Sequence, residues 1–175
     1  MRRSIASIQL ERGAISGSGN RVASAADIEM TRALERGEIP KENFHHASHL
    51  HVAWVYLTES SSPKKAADKM CDTLRRFTTA VGKPEKYHET MTLFWVHLLA
   101  RAQTVSRTGR FEDVMHANPH LLEKNFPLAY YSTERLFSDE ARASWMEPDL
   151  KPLSIDAPEI CAPGTPCDPQ NRSLS

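Results

Sequence analysis

Between Ser62 and Gly82 the chain carries an apolar spacing that suits an α-helix and little else. Ala66/Ala67, Met70, Leu74, Phe77 and Val81 fall on one stripe, with lysine, aspartate and arginine between them. That interval tracks the 3.6-residue helical turn. Ser62 is placed as N-cap, Pro63 occupies the first helical position, and Gly82 stops the run. A helix with one apolar stripe must bury it against other elements, so the rest of the chain has to supply the matching faces.

The other segments read as helices too. Ser24, with Asp27 three residues on, forms a capping-box variant, and Ile28, Thr31 and Leu34 follow on one face until Gly37. After Ile39-Pro40, a helix is expected from about 43 to 58. Its Leu50–Leu57 stretch alone could pass for a buried strand, but Phe44, Ala47/Ser48, Leu50/His51 and Trp54 recur at helical spacing. A central helix is expected over about 84–106, apolar on more than one side through Met91, Leu93, Phe94, Trp95, Val96, Leu98 and Leu99, and ended by Gly109. Shorter helices are expected at 110–117, 119–124 and 133–145. The fold class is therefore all-α, a single-domain bundle of about four main helices with short accessory ones. It comprises a flexible leader over 1–23, a helical domain over 24–146 and an extended tail over 147–175. Six of the eleven prolines follow Met146, which is why the tail is read as extended.

A length of 175 residues is enough for one proper core without disulfide or metal staples. Lysine plus arginine equals aspartate plus glutamate, 22 of each, which removes the usual electrostatic case for nucleic acid. Lys64-Lys65 and Arg75-Arg76 read as ordinary solvated faces. No apolar run approaches the roughly 20 residues of a membrane span, and no apolar segment follows Met1-Arg2-Arg3 as a secretory signal requires. The expected location is cytoplasmic. Cys71 falls in the apolar helical pattern as a small buried hydrophobe, while Cys161 and Cys167 are close enough to close a loop under oxidising conditions.

Chemistry concentrates in two segments. Residues 44–54 and 87–95 together hold five of the eight histidines, Glu89, Trp54 and Trp95. His46 and His49 share a helix face. His45 also stands four residues from His49, but the His46/His49 pair stays nearer the apolar stripe. His88 shares a face with Met91, Thr92 and Trp95. Imidazoles and a carboxylate from two facing helices are a common way to hold Fe, Mn or Zn. The metal reading makes His46, His49 and His88 ligands and Glu89 a fourth ligand or general base, with Tyr56, Tyr87, Thr92 and Trp95 lining a pocket for a small-molecule substrate. His88-Glu89-x-x-Thr92 lacks the second histidine of the zinc-protease motif, and no second inward Glu-x-x-His pair accompanies Glu42/His45 as a diiron bundle requires, so any site is mononuclear. The other reading is a buried hydrogen-bond network in a non-enzymatic helical binding or regulatory module. Haem held by one of the histidines is a third possibility. Trp54, Phe94 and Trp95 read as core, and His97, His116 and His120 as incidental.

The motif Phe44-x-His46-x-x-His49-Leu50-x-x-Ala53-Trp54-x-Tyr56-Leu57, paired with Tyr87-His88-Glu89-Thr90-x-Thr92-x-x-Trp95, resembles an uncharacterised family of small bacterial all-α proteins. The likeness continues through Asn118-Pro119-x-Leu121-Leu122, Tyr130-Tyr131-Ser132 and Trp145-x-Glu147-Pro148-Asp149-Leu150. It implies that His46, His49, His88 and Glu89 form the centre of the molecule, and it implies no activity.

Overall fold

The computed structural model describes residues 23–105 and 109–153. Within them lie seven α-helices and no strand: α1 Ala25–Glu35, α2 His46–Glu59, α3 Pro63–Ala80, α4 Glu89–Val105, α5 Phe111–Ala117, α6 Thr133–Leu136 and α7 Asp139–Ala143. Short 3-10 turns occupy Lys41–Asn43, Pro84–Lys86, Pro119–Leu122 and Phe126–Ala129. The fold is all-α. No helix among the described residues is long and apolar enough to cross a membrane. Most of the leader expected over 1–23, the far part of the tail, and the Cys161/Cys167 pair lie outside the described residues.

The helix-end chemistry holds where it was explicit. The Ser24 hydroxyl accepts from Asp27 N at 3.2 Å, and Asp27 Oδ2 accepts from Ser24 N at 2.8 Å, a reciprocal box that satisfies two orphan donors. Gly37 takes φ +74° just past α1, and its N–H and that of Glu38 return to the Leu34 and Ala33 carbonyls. Ser62 caps α3 by accepting from Lys65 N at 3.2 Å.

Two helices start later than the apolar spacing suggests. α2 begins at His46, because the 3-10 turn over Lys41–Asn43 leads into Phe44 and His45, both extended, and Ser48 Oγ accepts from His45 N at 3.3 Å. The helix expected over 84–106 is divided: a turn over Pro84–Lys86, extended Tyr87, then α4 from Glu89. His88 is the cause. Its ring Nδ1 accepts from Met91 N at 3.3 Å, so the side chain caps α4 rather than projecting from within it. The stretch 133–145 likewise splits at Ser138, whose hydroxyl caps α7 through Ala141 N. The turn over Pro119–Leu122 replaces the short helix expected there.

Helices α2, α3 and α4 pack against one another, and α1 covers α2. α4 is the axis: Leu93, Phe94 and Leu99 are wholly buried. Phe94 meets Tyr130 and Tyr131 edge-on at 5.2 and 5.7 Å, which seats the chain after α5 on α4. Trp54, Cys71 and Trp145 are core. His97, read as incidental, is buried on α4 with its ring 5.0 Å from that of Trp145. The start of the tail is docked, since Leu150 N donates to the Tyr130 carbonyl at 2.9 Å and Ser132 N to Asp149 Oδ1 at 2.8 Å.

Candidate functional site

A cleft of about 440 Å³ opens where α2, α3 and the start of α4 meet. Its apolar wall is Phe44, Leu74, Phe77, Val81, Met91 and Trp95; His46, His49, His88, Thr78, Thr92 and Tyr87 add polar atoms, and Lys41, Lys83, Lys86 and Lys124 complete the lining. The size lies within the range typical of small-molecule sites, roughly 300–1,000 Å³, and so does the mixture of apolar walls with a few convergent polar groups.

Three of the four expected pocket residues line this cleft: Tyr87, Thr92 and Trp95. Tyr56 does not. Its ring is wholly buried and its hydroxyl sits 2.9 Å from both Glu35 Oε1 and Thr73 Oγ1, joining α2 to α1 and α3. Burial, with the Glu35 carboxylate adding to it, pushes the Tyr56 hydroxyl well above its usual range. The α2 register explains the miss: Tyr56 stands seven residues beyond His49, but the helix leaves the cleft within two turns.

The expected ligand set is arranged for hydrogen bonding. His88 Nε2 donates to the Leu136 carbonyl at 2.7 Å while Nδ1 accepts from Met91 N, so both ring nitrogens are engaged and one neutral tautomer is selected. Burial lowers the His88 pKa, with Arg142 adding to the effect and the Leu136 carbonyl opposing it. His46 Nε2 donates to the Leu121 carbonyl at 2.9 Å, its ring 4.5 Å from Trp95. Burial lowers its pKa as well, opposed by that carbonyl and reinforced by Lys124. These two histidines tie the later loops onto the helical core, His46 to the turn after α5 and His88 to the end of α6.

His49 differs. Its ring stacks on Phe44 at 4.2 Å and faces the cleft, with no hydrogen-bond partner among the described residues. Burial, followed by the neighbouring His46, depresses its pKa to about 4, so at neutral pH it is an uncharged ring. The His46/His49 face read from spacing does meet the cleft, and His45 is exposed at the N-cap of α2.

Glu89 is not part of this lining. It is wholly buried, and its Oε2 accepts from Arg75 Nη2 and from the Tyr87 hydroxyl, each at 2.5 Å. Arg75 is thereby corrected from a solvated face to a partner in a largely buried ion pair, its guanidinium 5.0 Å from the Tyr87 ring centre. Tyr87 thus has its ring against the cleft and its hydroxyl on Glu89, and burial raises its pKa strongly, with Cys71 and Glu89 adding to it. Among the described residues no group of three or more His, Cys, Asp or Glu is placed to hold a metal ion. The His46 and His88 nitrogens are committed to carbonyls and a backbone N–H, and the Glu89 carboxylate to Arg75 and Tyr87.

Sequence spacing did not reveal the cleft's lysines or its α3 wall of Leu74, Phe77, Thr78 and Val81. The lysines lie in three separate segments outside the main helices, and only tertiary packing brings them together. The stripe on α3 was legible, but not that its C-terminal half is left open to form a wall. No protein-family model, curated protein or solved structure matches the chain.

Proposed function

We propose that the chain is a non-enzymatic helical binding module that takes a small molecule into the cleft between α2, α3 and α4. The observation that carries this reading is a division of labour among the chemistry-bearing residues. His46, His88 and Glu89 are committed to carbonyls, a helix cap and an arginine, and the Thr92 hydroxyl to the His88 carbonyl, while the His49 ring faces the open cleft beside Trp95. The committed groups make the cleft rigid, because each ties a different loop or helix to the core. A pre-formed cavity with walls fixed in this way loses little conformational entropy on binding.

Met91→Trp tests the reading, since the larger ring occupies the cleft from its α4 wall. A fragment screen by thermal shift and ligand-observed NMR is expected to give hits on the full chain that vanish in the variant, with the helical spectrum kept. Hits that persist with the cleft filled would place binding elsewhere and overturn the reading. So would near-stoichiometric Fe, Mn or Zn in untagged protein that is lost in a folded His88→Ala variant, which would return the four-residue metal centre and its enzymatic chemistry.

A further inference from the structure

The charges around the cleft are sorted by sign. The chain has as many acidic as basic residues, yet the lining holds Lys41, Lys83, Lys86 and Lys124 and not one carboxylate. Glu42, Glu85 and Glu123 are sequence neighbours of three of these lysines and are not part of the lining. Lys41 has a loose contact with Glu42 at 3.9 Å, and Lys83, Lys86 and Lys124 pair with no carboxylate among the described residues. All four lysines are exposed, which puts their ammonium groups at the mouth, while Phe44, Leu74, Phe77, Met91 and Trp95 make the interior.

The imidazoles do not supply this positive charge. With their pKa values lowered by burial, His46, His49 and His88 are neutral near pH 7, and His49 offers the interior a ring nitrogen without a charge. The positive potential therefore belongs to the lysines at the entrance, where it focuses on a ligand's outer end. The arrangement is apolar inside and cationic outside.

We propose that the cleft selects an anionic amphiphile: a small molecule with one carboxylate or phosphate head held by Lys41, Lys83, Lys86 and Lys124, and an apolar body laid along Phe77, Met91 and Trp95. This inference rests on the binding reading above and names the ligand class for the same site. Long, flexible lysines suit it because they reach heads of different shape as point charges, whereas a planar guanidinium would impose one geometry.

The test uses the full chain and four probes with the same eight-carbon body: octanoate, octyl phosphate, 1-octanol and octylamine, titrated by calorimetry and by tryptophan fluorescence. Octanoate or octyl phosphate is expected to bind at least about tenfold tighter than 1-octanol, with octylamine weakest, and to weaken between about 0.05 and 0.5 M salt. Lys83→Glu/Lys124→Glu is expected to abolish that preference with the helical spectrum kept, and the two anions separate a carboxylate site from a phosphate site. Equal or tighter binding of 1-octanol or octylamine would overturn the ligand class and leave the binding module standing. Failure of all four probes to bind would likewise overturn the ligand class, while the fragment screen decides the binding module separately.

Discussion

Replacing His49 with phenylalanine removes the one cleft imidazole that has no hydrogen-bond partner among the described residues, and the effect can be worked out from its environment. In the folded chain the His49 pKa is held near 4, against an ordinary value of 6.5, by burial and by His46. Between those two pH values the unfolded chain binds a proton that the folded chain does not. Stability is therefore fully present above about pH 6.5 and is lost as the pH falls toward 4. Integrating that linkage from pH 7 to pH 5 gives a loss of about 2 kcal/mol from this single side chain. Urea denaturation followed by far-UV circular dichroism at both pH values measures it. The wild type should lose about 2 kcal/mol more than His49→Phe over that interval, the subtraction cancelling the contribution of His88. The phenyl ring should stack on Phe44 as the imidazole does, so the variant is expected to stay within about 1 kcal/mol of wild type at pH 7. If both proteins lost the same stability on acidification, His49 would be titrating as a solvated histidine, and the reading that burial depresses its pKa would fail.

Substitutions at three other residues separate holding roles from lining roles. Glu89→Gln leaves Arg75 and Tyr87 facing a neutral amide and should cost about 2–4 kcal/mol in urea denaturation, largely recovered in an Arg75→Met/Glu89→Gln double variant; a cost under about 0.5 kcal/mol would refute the buried pair. His88→Ala loses both the α4 cap and the Leu136 contact and should cost about 2–3 kcal/mol, whereas His88→Asn restores the cap alone and should recover about 1 kcal/mol; identical melting curves for the two would show that capping is not what His88 does. Tyr56→Phe withdraws a buried hydroxyl from Glu35 and Thr73 and should cost about 1–2 kcal/mol with no change in octanoate affinity, and a tenfold loss of affinity would place Tyr56 at the cleft after all.

What could be read along the chain was whatever depends on local geometry. The stripe on α3, the Ser24–Asp27 box, the Ser62-Pro63 start and the turns at Gly37 and Gly82 each follow from residues within about one helical turn, and all of them are present. The shared face of His46 and His49 is the same kind of inference, and the all-α class is the sum of such elements. The roles of the polar side chains were not legible, because each is decided by a partner distant in sequence. His46 meets the carbonyl of Leu121 and His88 that of Leu136. Glu89 turns to Arg75, on a helix whose basic residues look solvated when read alone. Periodicity says which way a side chain leaves its own helix, but the hydrogen-bonding group waiting there comes from another part of the chain. A buried imidazole or carboxylate must take the partner it finds, since leaving it unsatisfied is costly. The four lysines illustrate the same limit from outside: the chain is neutral overall, and tertiary packing gathers three of its basic segments around one apolar cleft.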